Sequence, residues 1–218
     1  MRVLGRGRAW CIAALLLAGC VSTRDIVPVV ELADTPFFPQ SEYQCGPAAL
    51  ATLLGASRVS IAPADLVAEV YIPAREGSLQ TEMLAATRRH GRIAVVVEPT
   101  LDALVREIDA GRPVLVLLNL GVESWPIWHY AVVIGYEPGR SHLLLRSGME
   151  ARERMSLRRF RGACSRARNW GFVALRPGEL PADADAARYV AAVADFETLD
   201  SGAALRAYEA GIERWPPA

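Results

Sequence analysis

Hydrophobic and polar positions recur with two periods along this chain, and the change from one to the other sets its layout. Residues 46–54 have a helical pattern, with Pro47 in the first turn, Leu50, Leu53 and Leu54 on one face, and Gly55 just past the end. Pro63 opens a second, short helix through Val70, and Ser78 is expected to cap a third that runs to His90 and stops at Gly91. Beyond it the apolar stretches shorten and become β-branched. Ile93–Val97, bounded by Gly91 and Pro99, predicts a strand. Thr100 caps a predicted helix over 101–110, ended by Gly111, and the continuous apolar stretch 114–120 predicts a strand buried on both faces. Trp128–Tyr136 predicts another strand, 137–140 a turn, 142–146 its hairpin partner, and Gly171–Leu175 a closing strand. Helices first and strands mostly later predict an α+β fold around a largely antiparallel sheet.

Both ends of the chain depart from this pattern. After 177–181 the composition becomes Ala-rich, and 184–196 and 203–214 predict a helical hairpin. The spacing of Ala204, Ala207, Tyr208, Ala210, Gly211 and Trp215-Pro216 resembles half of a tetratricopeptide unit. One such pair cannot bury its apolar face alone. It must pack on the domain, meet a protein partner, or belong to a longer array. At the other end, Arg2, Arg6 and Arg8 precede an apolar stretch at 9–18 that is too short to span a bilayer as a mature helix. Leu17-Ala18-Gly19-Cys20 resembles a bacterial lipobox, which implies removal of residues 1–19 and acylation of Cys20. Val21, where no aspartate stands, implies outer-membrane sorting with the domain facing the periplasm, and two or three acyl chains anchor stably. The expected organisation is a signal peptide over 1–19, a Pro-interrupted tether over 20–35, the main domain over 36–176, and a linker with the partial repeat over 177–218.

Composition narrows the function classes. Of 218 residues, 52% are hydrophobic and 22% charged, which is globular usage. Basic and acidic residues number 24 each, and loss of the leader leaves 21 against 24. No basic excess points to nucleic acid. With Cys11 in the leader and Cys20 lipidated, Cys45 and Cys164 remain as thiols, and a disulfide between them is the competing use of the pair. Two thiols and three scattered histidines offer no zinc spacing, and neither a phosphate-cradling glycine loop nor a Gly-x-Ser-x-Gly elbow occurs. No cofactor is therefore expected. The arginines across 152–168 read as a solvated face rather than an anion site.

Two positions carry chemistry. Cys45 stands at the amino end of the first predicted helix, where unpaired amides and the helix dipole favour a thiolate and lower a thiol's pKa. Its own N–H, with a nearby side-chain amide, could hold an oxyanion, and Gly46 is expected to let a substrate backbone approach closely. His129 opens an apolar strand, and by alternation it shares a face with Ala131, Val133 and Gly135, small enough to admit a helix end carrying a thiol. An imidazole near neutral pH can serve as base or as cation. His90, in the last turn of a helix, and His142, beside a turn, read as structural or solvated.

Taken together, Gln40-Ser41-Glu42-Tyr43-Gln44-Cys45-Gly46-Pro47-Ala48-Ala49-Leu50 and the later His129-Tyr130-Ala131-Val132-Val133-Ile134-Gly135-Tyr136 resemble the bacteriocin-processing, double-glycine-leader branch of papain-like cysteine peptidases. The likeness is greatest to lipoproteins that pair such a domain with tetratricopeptide repeats, and it spans residues 36–176. The resemblance implies a papain-like fold, Cys45 as nucleophile, His129 as general base and Gln40 as the oxyanion-hole side chain. Gln40 stands one place nearer the cysteine than is usual in that family, which makes Gln44 a rival. The family places Asp or Asn after the hairpin that follows the histidine, but 143–148 here holds no carboxylate or amide, which leaves Ser147 to receive the imidazole N–H. Three functions follow as expectations: hydrolysis of a peptide or protein, a non-hydrolytic adaptor that recruits a partner through its C-terminal helices, or acyl transfer to an amine.

Overall fold

The computed structural model describes residues 29–40, 44–137, 139, 141–183 and 185–216. The expected signal peptide, Cys20 and most of the tether lie outside the described residues.

The first helix, α1 (Cys45–Ala56), buries every residue from Gly46 to Leu54, so it is apolar all round rather than amphipathic. A second helix, α2 (Pro63–Val70), begins at its proline as expected. Two short strands, β2 (Tyr71–Ile72) and β3 (Gly77–Ser78), form a small ribbon before α3 (Gln80–Arg89). Ser78 therefore does not cap α3. The N-cap is Leu79, with no side-chain cap, and the Ser78 hydroxyl instead packs on α1.

The main sheet has seven strands: β1 (Val30–Glu31), β4 (Ile93–Val97), β5 (Val114–Asn119), β6 (Trp128–Tyr136), β7 (His142–Ser147), β8 (Glu150–Ser156) and β9 (Gly171–Leu175). Its order is β4-β9-β5-β6-β7-β8, and every pairing is antiparallel. β1, expected inside the tether, joins β6 where β5 runs out, pairing Val30 with Tyr136 and Glu31 with Gly135. Only glycine fits at Gly135, because a Cβ there would lie 2.3 Å from the Val30 carbonyl oxygen.

Alternation along the strands separates two cores, one on each side of the sheet. On one side Tyr130, Val132 and Ile134 of β6 pack with α1, α2 and α3. On the other, Leu118, Ala131, Val133, Leu143 and Leu145 pack beneath α4 (Leu101–Asp109), α5 (Leu157–Arg166), α6 (Ala186–Glu197) and α7 (Ser201–Arg214). The fold is α+β, with helices covering both faces of an antiparallel sheet. The C-terminal hairpin packs on the domain. Tyr189, Val193, Phe196, Ala204 and Ala207 belong to the second core, and the Tyr189 hydroxyl donates to the carbonyls of Glu179 and Ala207. The buried Glu107 carboxylate holds the linker, accepting from the N–H groups of Ala182 and Asp183 while paired with Arg112 at 2.6 Å.

Candidate active site

Strand pairing leaves a pair of backbone groups unclaimed beside the thiol. Leu117 lies opposite Tyr130, but its N–H donates away from β6, to the Trp170 carbonyl at 3.1 Å. Tyr130 is therefore a non-hydrogen-bonded position against β5, and its N–H and C=O point toward the β7 edge. Pairing with β7 begins only at Val132–Arg146, so β7 leaves both groups open. The segment before α1 and the start of α1 itself fill the gap. Gln40 Nε2 donates to the Tyr130 carbonyl at 3.5 Å, and the Cys45 sulfur accepts from the Tyr130 backbone N–H. Cys45 and Gln40 thus meet at one residue, and the thiol lies against the peptide unit that joins Tyr130 to His129.

The helix start surrounds the sulfur with further amides, since the N–H groups of Cys45 and Gly46 also stabilise its thiolate. Gln44 is the N-cap, and its carbonyl accepts from the Ala48 N–H at 3.3 Å. Gly46 has a different reason from the one expected. A Cβ there would lie 2.1 Å from the Ser78 hydroxyl oxygen, so close approach of β3, not of a substrate, demands glycine. Tyr130 links the same parts by donating its phenol to the Ser78 carbonyl at 3.1 Å.

The expected face for α1 is corrected. His129 pairs with Leu118 and alternates with Tyr130, so its Cβ points to the Ala131 and Val133 side, whereas α1 lies on the Tyr130 side. Helix α1 and the His129 Cβ therefore lie on opposite faces of β6. On its own face, the imidazole Nε2 is 2.9 Å from the hydroxyl of Ser147, a buried residue at the end of β7. That contact occupies Nε2, and among the described residues Nδ1 has no hydrogen-bond partner. Gln40 is tied to the same corner, because its N–H donates to the Gly148 carbonyl at 3.1 Å.

Burial sets the protonation states. It pushes the Cys45 thiol above its ordinary value, and the hydrogen bonds from Tyr130, Gly46 and Cys45 only offset part of that rise. The expected net depression by the helix start is therefore reversed. Burial also pulls His129 below its ordinary value, with Glu153 of β8 acting the other way. Both shifts favour an uncharged thiol and imidazole at neutral pH.

The remaining candidates lie elsewhere. Cys164 is buried in α5, on the opposite side of the sheet from Cys45. Both thiols are free, and burial pushes Cys164 up to about 12. His90 lies 2.8 Å from Glu69 and His142 3.3 Å from Glu137. The arginines of 152–168 are in part paired: Arg152 with Glu31, Arg154 with Glu137, and Arg166 with the Asn119 carbonyl. Among the described residues, no group of three or more His, Cys, Asp or Glu could hold a metal ion.

Residues 32–156 match the Peptidase_C39-like family. A solved structure described as a C39-like peptidase from Bacillus anthracis superposes with a TM-score of 0.57 at 16% identity, covering 68% of this chain and 98% of that one. The peptidase domain of Streptococcus ComA, a bifunctional ABC transporter of a quorum-sensing pathway, superposes with a TM-score of 0.55 at 19% identity, covering 65% and 98%. These likenesses show a shared papain-like fold. No curated protein sequence matches the chain. With the family match spanning more than half of its length, the chain belongs to the Peptidase_C39-like family.

Proposed function

We propose that this protein hydrolyses peptide bonds through a Cys45 thiol activated by His129. The observation that carries the reading is the meeting of Gln40 and Cys45 on the backbone of Tyr130, one residue from an imidazole whose far nitrogen is held by Ser147. In the first step Nδ1 of His129 takes the thiol proton as the sulfur attacks the scissile carbonyl, forming a C–S bond. The oxyanion is held by the Cys45 N–H and by the Gln40 amide, whose second N–H is not used on Tyr130. The C–N bond then breaks, and the imidazolium gives its proton to the departing amine. A water, deprotonated by the same imidazole, releases the acyl group and restores the thiol. Ser147 fixes the ring and its tautomer throughout.

Family analogy favours cleavage after small residues such as Gly-Gly, with peptides or proteins as substrates. Acylation at Cys20, attachment to the outer membrane and a periplasm-facing domain complete the proposal, on the strength of the lipobox-like sequence alone. The adaptor reading rests on the missing acidic third residue and is weakened by the Ser147 contact. Replacing Cys45 by Ala and assaying hydrolysis of peptides bearing Gly-Gly tests the proposal. Activity should disappear, and unchanged activity would overturn it.

A further inference from the structure

The hairpin that leads into His129 carries more exposed apolar surface than its own folding explains. Val122, Trp125, Ile127 and Trp128 are 59%, 78%, 55% and 54% exposed, four large apolar side chains within seven residues. Large apolar side chains exposed this close together along the chain point to a contact surface. The loop is built rather than slack. Asn119 Oδ1 accepts from the N–H groups of both Gly121 and Ile127 at 3.0 Å. Leu120 N–H donates to Ile127 at 2.9 Å, and Val122 and Trp125 exchange two backbone hydrogen bonds around a two-residue tip. Gly121 is pressed against the Trp125 carbonyl oxygen, 2.3 Å from where a Cβ would stand.

Its place relative to the chemistry identifies the occupant. Trp128 alternates onto the same face of β6 as Tyr130, the face on which α1 and Cys45 lie. Further along that face Tyr130 and Trp170 are 6.2 Å apart and Trp170 and Phe172 5.4 Å. The acyl oxygen of a substrate belongs at Gln40 and the Cys45 N–H. The departing nitrogen must lie over His129 to receive its proton. A substrate that follows β6 in that order, from Tyr130 to His129, next reaches Trp128 and the hairpin.

Resting on the peptidase reading, we infer that Trp125 and Trp128 form the wall that receives the substrate on the leaving-amine side of the cleaved bond, and select a large apolar residue there. The prediction concerns the new N-terminus released by cleavage, not the Gly-Gly side.

Two matched probes test it with the full chain: peptides with Gly-Gly before the scissile bond and Leu, Trp or Asp after it, and the same acyl segment as a methyl ester, which has no leaving-side residue. Wild-type protein should cleave the Leu and Trp peptides at least about tenfold faster, in kcat/KM, than the Asp peptide. Trp125→Ala and Trp128→Ala should each erase that preference while turning over the ester as wild type does. Ester turnover with no leaving-side preference, or with the preference intact in both variants, overturns this inference alone. Inertness of wild type toward peptides and ester overturns the peptidase reading and this inference with it.

Discussion

His129 Nε2 and Ser147 Oγ lie 2.9 Å apart at the open end of the β6–β7 pair, and in the proposed mechanism this uncharged hydroxyl does the positioning that papain-like enzymes of this branch assign to an amide or carboxylate. A hydroxyl can hold the ring but cannot balance an imidazolium. Ser147→Ala should therefore lower kcat about tenfold with little change in KM. Ser147→Asp should raise kcat and move the acid limb of the pH profile upward, since a carboxylate favours the charged ring. Steady-state kinetics on a Gly-Gly peptide checks both.

The pH dependence follows from burial. With His129 below its ordinary 6.5, the imidazole stays neutral and able to act as base down to mildly acidic pH, so activity should fall only below that value. Glu153 raises the imidazole's pKa, so Glu153→Gln should move the acid limb lower still. Cys45, held above its ordinary 9.0, should react with iodoacetamide slowly at neutral pH and faster as the solution becomes alkaline. Alkylation rates measured by intact mass between pH 5 and about 10 check the sign.

Gly46→Ala places a methyl group 2.1 Å from the Ser78 hydroxyl oxygen, so α1 and β3 must separate. The expected loss is about 1–3 kcal/mol of stability, together with most activity. Ser78→Gly in the same chain removes the clash and should restore much of both. Chemical denaturation of the two variants separates crowding from any role of the glycine toward substrate.

Glu107→Ala removes the buried carboxylate that pairs with Arg112 and receives the linker amides at 182 and 183. Breaking such a pair from one side costs about 3–5 kcal/mol. Hydrogen exchange should rise first in the C-terminal hairpin, which this carboxylate ties to α4.

Much of this site was legible in the sequence because its parts stand at element boundaries. Cys45 before Gly46-Pro47, and His129 where an apolar strand begins, are punctuation that periodicity finds. Which face of β6 each of them takes was not legible. Alternation places His129 opposite Tyr130, and only three-dimensional pairing reveals that the thiol comes around the open edge of Tyr130. β8 and α5 escaped for a different reason. Glu150–Ser156 is an edge strand with Met155 as its one buried residue, and Leu157–Arg166 carries four arginines, so both read as solvated charge. β1, only two residues long, was indistinguishable from tether. The net rise of the Cys45 pKa depends on burial, which no local motif encodes.

The central claim is that Cys45 becomes acylated with His129 as its base. Incubating the protein with a Gly-Gly peptide thioester, quenching in acid and mapping the adduct by mass spectrometry measures that step directly. The account predicts one acyl group on Cys45, none on Cys164, and acylation at least about 100-fold slower in His129→Ala. An adduct elsewhere, or equal rates in wild type and His129→Ala, would contradict it.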